Sequence, residues 1–477
     1  MTTVGPAVDG SHSLYSVAFD LSTVGYTAAE HFVDGEATRF RDVAPRDTDG
    51  RWPVEGCDSA PFTTRIVVHR PADPAAANGT VVVEWLNVTG GLDVPALWMH
   101  AHRELVRSGS TWVGISAQET GIQGGGGAMA GFSLRESAPE RYGTLTHPGD
   151  AFSFDLFTEV GRAVRDALPA LHDVPVERML AVGASQSAMY LTTYVNSIDR
   201  DAGVYDGFLL HGRAGAGVPI EAWDPASIRF RPEDDPAIRR ARLAGRDHIR
   251  DDGRVPVIVV QSETDIFGSL QYLAARQDDG ERFRLWEVAG AAHCDTYFLS
   301  LAAHDTARLD PGDRARLLLD TDAAQGAMTK PPNCGPQMHY VLQRAIAALD
   351  AWVRAGDAPA VAPRLELDVD GNLAVDELGI ARGGVRTAWV DAPVVAVSGL
   401  GQPGVLEELM GTSRRLTADE LAVRWPGGRA EYLDAFTRET EDAVARGVLL
   451  EEDVDEINGL GALTWPADQE DGRDGLD

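Results

Sequence analysis

Lysine is almost missing from this chain: Lys330 is the sole one in 477 residues, so nearly all positive charge is arginine. That deficit reads as a coding bias rather than a mechanism. Lysine and arginine together number 42 against 73 acidic residues, a formal net charge of −31. A strongly negative field repels polyanions, so neither nucleic acid nor an anionic membrane is an expected partner. Its plain reading is a solubility surface. Cysteine is scarce too. Cys57, Cys294 and Cys334 do not make a disulfide framework, which fits a reducing cytoplasm as the expected location. No apolar run approaches the ~18 residues that span a bilayer. The first twenty residues lack a basic flank followed by an apolar core, so no export signal is read there.

What is present is globular in kind. Hydrophobic residues make up 44% and charged residues 24%, both ordinary values, and the length allows one large domain or several smaller ones. The first sixty residues read as short β segments, HSLYSVAFDL and ATRFRDV, broken by Gly, Pro and Asp. A rhythm then sets in. TTRIVVHR and TVVVEWLNV read as strands, VPALWMHAHRELVRSG as a helix, and TWVGISAQ as a strand. The stretch PGDAFSFDLFTEVGRAVRDAL predicts a helix capped by Asp150. RMLAVG (strand), SQSAMYLTTYVNSI (helix) and YDGFLLHG (strand) follow. Later come VPVIVVQS (strand), GSLQYLAARQ (helix), FRLWEVAG (strand) and YVLQRAIAALDAWVRAG (helix).

Strands alternating with helices predict an α/β architecture, a mostly parallel sheet covered on both faces. Near-continuous apolar strands are what a sheet buried on both sides requires. The expected organisation is an N-terminal β extension over 1–60 and a core over 61–355. A small cap interrupts the core at about 214–253, where mixed charges break the rhythm. GDAPAVAPR (356–364) reads as a linker, and 356–477 as a C-terminal extension packed on the core, with an acidic tail at about 466–477.

Chemistry concentrates at Ser185. It stands where an apolar strand ends and a helix begins, with Gly183 two residues before it and Ser187 two after. In a sharp strand–turn–helix elbow the residues two before and two after the nucleophile crowd each other, so both must be small. The helix N-terminus then aims N–H groups at an oxyanion formed above the serine. Gly-x-Ser-x-small is common by chance; its placement in the α/β run is what singles it out. A serine hydroxyl also needs a base, and the base an orienting carboxylate. Glu263 and Asp265 follow one strand in the run ETD, and His293 follows the next. Asp265 is the preferred acid, because ETD aligned on a strand-end Gly-x-x-Asp pattern puts Ser262 at the Gly; Glu263 is the second choice. His211 also ends a strand but precedes both acids. Gln186 and the loop around Asn87 and Val88, bent by Gly90 and Gly91, are the expected oxyanion donors.

Other features read more blandly. GIQGGGGA lacks the Lys-Ser/Thr of a phosphate-binding loop and reads as a mobile loop. His293, His339, Cys294 and Cys334 fit no tight zinc spacing, so no metal is expected.

The chain resembles the bacterial alpha/beta-hydrolase domain-containing proteins. The resemblance is carried by VVVEWLNVTGGLD, WVGISAQETGI, RYGTLTHPGDAFSFDLFTEVGRAVR, VGASQSA, VPVIVVQSETD, AGAAHCD, GPQMHYVLQRAIAALDAWV and DELGIARGGVRTAWVDAP, from about residue 60 to 395. It implies an α/β-hydrolase fold, Ser185 as nucleophile, His293 as base and the acid within ETD. DELGIARGGVRTAWVDAP lies past the linker, so the C-terminal region is expected to belong to the same folded unit. The expected activity is hydrolysis of a small-molecule carboxylic ester through an acyl-enzyme, with no cofactor. Acyl transfer or a lyase reaction on the same triad is the neighbouring alternative, and a non-catalytic binding protein of the same fold the distant one. Neither the ester nor the oligomeric state is legible.

Overall fold

The computed structural model describes residues 1–125, 131–221, 240–241, 243–319, 328–404 and 407–466. Part of the glycine-rich loop, much of the expected cap and nearly all of the acidic tail lie outside the described residues; residues 121–123, read as the start of that loop, instead end a short helix, Glu119–Gln123.

Among the described residues nine strands form one sheet: β1 (Thr3–Ala7), β2 (Tyr26–Asp42), β3 (Val54–Pro71), β4 (Thr80–Trp85), β5 (Thr111–Ile115), β6 (Arg178–Ala184), β7 (Gly207–His211), β8 (Val257–Ser262) and β9 (Phe283–Val288). Their order is β1-β2-β3-β5-β4-β6-β7-β8-β9. The first three are antiparallel, and β2 and β3 make a long ribbon from the pair Tyr26–Pro71 to Asp42–Val54. From β5 to β8 the strands run parallel, with Val83 beside Val113 and Ala181, Ala181 beside Phe208, and Leu209 beside Ile258. β4, β5, β7 and β8 are buried along their whole length. Neither face of these strands meets solvent, because helices cover both sides of such a sheet.

Two compact units divide the chain. The first holds Met1–Val260, Ser269–Leu285 and Ile346–Pro359, and so carries β1 to β7 with most of β8. Its principal helices are α1 (Ala96–Ser108), α2 (Ser153–His172) and α3 (Gln186–Ser197). Trp85, at the end of β4, packs against Phe157 of α2 and Tyr190 of α3, with ring centroids 4.8 and 4.9 Å away. Aromatic rings therefore set the spacing between β4 and both helices. The second unit holds Gln261–Gly268, Trp286–Ala345 and the chain from Ala360 onwards. It contains the antiparallel pair β10 (Val395–Ser398) and β11 (Thr412–Arg415), and the helices Arg429–Ala445 and Val454–Thr464. Val385 bridges Val288 in parallel there, extending the edge at β9.

Three local expectations are corrected. HSLYSVAFDL carries no strand. Leu14 and Ser16 are buried around an exposed Tyr15, so its alternation reflects burial without ladder pairing. GSLQYLAARQ forms only the 3-10 turn Tyr272–Ala275, after Gln271 takes a left-handed φ of 54° that breaks helical continuity. Asp150 does not cap α2. Its carboxylate accepts the Glu119 N–H at 2.8 Å and the Tyr190 hydroxyl at 3.0 Å.

Candidate active site

In the first unit, β6 ends at Ala184 and α3 begins at Gln186, leaving one residue for the turn. That residue is Ser185, with φ 58° and ψ −120°. A non-glycine residue held at such angles costs roughly 1–3 kcal/mol, so its surroundings must enforce it. They do. The Ser185 N–H donates to the His211 carbonyl at the end of β7 at 2.8 Å, and the Ser185 carbonyl accepts the Met189 N–H at 3.2 Å. A Cβ on Gly183 would stand 3.0–3.1 Å from Leu191 and Ser187. The elbow closes only because both flanking residues are small. Ser185 itself stays partly exposed while Gln186 is buried. As the first residue of a twelve-residue helix, Gln186 has an N–H with no intrahelical acceptor.

The loop after β4 is zipped to this elbow. The Asn87 side-chain amide donates to the Ala184 carbonyl at 2.9 Å and accepts the Thr89 N–H at 2.9 Å. The Gln186 side-chain carbonyl faces the Val88 N–H at 3.4 Å. Asn87, Val88 and Gln186 thus gather beside Ser185. The Asn87 N–H, expected as an oxyanion donor, is committed to the Val94 carbonyl at 2.9 Å. That bridge closes the small loop, so the residue serves through its side chain.

Beneath the loop lies a charge network that the sequence reading missed. Arg65, fully buried on β3, donates to Asp93 at 2.5 Å and to Ser116 at 2.9 Å, and pairs with Glu30 at 3.3 Å. A buried charge persists only when paired and hydrogen-bonded, and this one is. The signal was a lone arginine inside the β-branched run TTRIVVHR.

In the second unit, the run ETD opens a short helix (Glu263–Phe267) directly after β8. Nδ1 of His293 lies 2.6 Å from Oδ1 of Asp265, and both side chains are buried. The other Asp265 oxygen accepts the Ser262 N–H at 2.6 Å, and the Ser262 hydroxyl accepts the Asp265 N–H at 3.2 Å. This reciprocal cap fixes the carboxylate. Thr264 Oγ1 accepts the His293 N–H at 3.2 Å and donates to the Gly399 carbonyl at 2.6 Å. Glu263 does not meet the imidazole. It accepts the Gly290 N–H at 2.5 Å, the Ser398 hydroxyl at 2.9 Å and the Gly399 N–H at 2.7 Å. Burial pushes the Glu263 carboxyl up to about 7 against the pull of these donors. All three residues of ETD therefore hold the loop 290–293, each at a different atom.

Burial also raises the Cys294 thiol, which makes it a poor nucleophile at neutral pH. His339 stacks on Tyr297 with centroids 3.8 Å apart. Among the described residues no group of three or more His, Cys, Asp or Glu side chains is arranged to hold a metal ion. Among the same residues no helix is long and apolar enough to cross a membrane.

A mostly parallel sheet flanked by helices, with strands β5 to β8 in this order, is the architecture of α/β hydrolases. Residues 3–458 match the family described as Alpha/beta hydrolase domain, and the chain belongs to that family of hydrolases. No curated protein matches the sequence. Among solved structures the chain is similar to fungal esterases from Rhizomucor miehei, at 14% identity over 54% of this chain and 75% of that one, TM-score 0.27. It is similar to an α/β serine hydrolase without lid from Xanthomonas campestris, at 12% identity over 47% and 78%, TM-score 0.26. A cold-adapted esterase from an Arctic intertidal metagenomic library gives 12% identity over 55% and 84%, TM-score 0.27. Similarity at this level carries no argument about substrate.

Proposed function

We propose that this hydrolase cleaves carboxylic esters through an acyl-enzyme on Ser185. The observation that carries the reading is the backbone of Ser185, a non-glycine residue held at φ 58° on the turn into α3. Such strain is concentrated where geometry serves chemistry. The paired Asp265 and His293, 2.6 Å apart, support it from the second unit.

In this scheme Ser185 Oγ attacks the ester carbonyl while Nε2 of His293 takes its proton. Asp265 holds the Nδ1 proton, fixing the tautomer and stabilising the imidazolium. Charge builds on the carbonyl oxygen, where the N–H groups of Gln186 and Val88 receive it. The Val88 N–H rests on the Gln186 side chain at 3.4 Å, a long contact that a developing oxyanion displaces readily. His293 returns the proton to the leaving alcohol, and water repeats the sequence to release the acid.

A series of p-nitrophenyl esters of rising acyl length, run beside a fluorophosphonate probe, tests this. One adduct per chain on the Ser185 peptide, lost in Ser185→Ala along with ester turnover, is the expected result. By analogy with other triads, turnover should fall by about six orders of magnitude. Retained turnover in the variant overturns the acyl-enzyme scheme. Labelling without turnover of any ester favours acyl transfer or ligand binding.

A further inference from the structure

We propose that Glu263 is a positioning residue for this reaction: its carboxylate ties the start of the histidine loop to Ser398 and Gly399, and thereby sets where His293 stands against Asp265. The inference rests on the reading of His293 as the base.

The clamp is built from both sides. Glu263 takes the Gly290 N–H, while Asn333 and Gln337 donate to the Gly290 carbonyl at 2.8 and 2.7 Å. Every polar backbone atom of Gly290 is thus engaged. Gly290 has φ 68°, and a Cβ there would stand 2.5 Å from Val390. The loop then runs three residues to His293. Along it, the Glu263 N–H donates to the Ala291 carbonyl at 3.1 Å. The second anchor is equally tight. A Cβ on Gly399 would meet the Ala291 carbonyl oxygen at 2.3 Å and the Glu263 Cβ at 2.7 Å. Asn333 also donates to the Ser398 carbonyl at 3.0 Å, so the same two segments are stitched twice.

The chemistry of the clamp requires a carboxylate. One Glu263 oxygen faces the Gly290 N–H; the other faces the Ser398 hydroxyl and the Gly399 N–H. Glutamine in its place turns one arm into a donor, and either orientation sets N–H against N–H. The loop must then shift to relieve the clash, and His293 moves with it.

Glu263→Gln, Ser398→Ala and Asp265→Asn, made in the full chain, test this with two readouts. The first is kcat and KM on p-nitrophenyl acetate. The second is the low-field proton NMR resonance of the His293 Nδ1–H, which needs no turnover. Glu263→Gln should lower kcat about 10²-fold, as a small misplacement of a catalytic group does, with KM changed less than about twofold. The resonance should persist but move and exchange faster with solvent, whereas Asp265→Asn should erase it. Ser398→Ala removes one of three bonds and should show both effects at reduced size; it decides the matter if Glu263→Gln does not fold. Wild-type kcat and an unmoved resonance in Glu263→Gln overturn the inference. So does a resonance erased in Glu263→Gln but kept in Asp265→Asn, which would make Glu263 the orienting acid. If the wild type cleaves no ester, the proposed function fails, and the resonance alone still decides the clamp.

Discussion

Asp265 holds His293 with one oxygen and the Ser262 N–H with the other, each at 2.6 Å. In Asp265→Asn the Ser262 N–H claims the amide oxygen. The amide nitrogen is left to donate to Nδ1, which forces the proton onto Nε2, the atom that must accept from serine. The expected loss in kcat is about 10⁴-fold with a native melting temperature, against about 10²-fold for Glu263→Gln. Equal small losses in both variants, measured on one ester, would place the orienting acid elsewhere.

Ser185 has a Cβ at φ 58° and makes no side-chain cap to α3. Removing that Cβ relieves strain, partly offset by the extra freedom of an unfolded glycine. Ser185→Gly should therefore be more stable than Ser185→Ala by about 1 kcal/mol, and on the proposed reading both should be inactive. Calorimetric melting of the two variants checks this. A glycine variant no more stable than the alanine one would mean that the elbow is relaxed.

Asn87 joins the loop after β4 to Ala184 through its amide N–H and caps Thr89 through its oxygen. Asn87→Ala leaves a buried carbonyl without this donor, at a cost of about 1–3 kcal/mol. Asn87→Asp keeps the Thr89 bond but turns a carboxylate oxygen towards the Ala184 carbonyl. It should melt lower than Asn87→Ala at pH 7 and recover part of that difference near pH 4, where protonation restores a donor. Thermal melts at the two pH values read this directly.

His172 is buried against His31, their Nε2 atoms 2.8 Å apart. Burial first, then the charges of His31 and Arg70, lower its value from 6.5 to about 4. The unfolded chain therefore binds more protons than the folded one between about pH 6.5 and 4. The contribution is full above that window and lost as pH falls through it. His172→Gln should flatten this acid limb, removing on the order of 2 kcal/mol of the pH-dependent change seen in urea unfolding. An unchanged slope would place the acid sensitivity in other groups.

Legibility in the sequence followed the range of each interaction. The central strands announced themselves because a strand buried on both faces needs a nearly continuous apolar run, a local property. Ser185 showed through the small residues on either side of it, again local. The preference for Asp265 over Glu263 drew on spacing within three residues, and the structure sets Asp265 against the imidazole. The role of Asn87 was hidden because its side chain acts on Ala184, 97 residues away. Glu263 was hidden more deeply, since its partners Ser398 and Gly399 lie beyond the linker and look like ordinary loop residues. The helix expected over GSLQYLAARQ failed for the opposite reason: its spacing was right, but Gln271 adopts a backbone that spacing cannot reveal.

The reach from Glu263 to Gly399 spans 136 residues of chain, and that distance is also a delay. A ribosome that has already released the serine, the acid and the histidine still has about a hundred residues to add before the second anchor exists. At ~5–20 residues per second that interval lasts roughly 5–20 s. Throughout it the nascent polypeptide holds the candidate serine, acid and histidine while the Glu263 carboxylate lacks two of its three donors, the Ser398 hydroxyl and the Gly399 N–H. Competence for catalysis should therefore switch on late in translation, and a chain stalled before residue 399 should stay silent towards a fluorophosphonate even with Ser185 fully outside the exit tunnel.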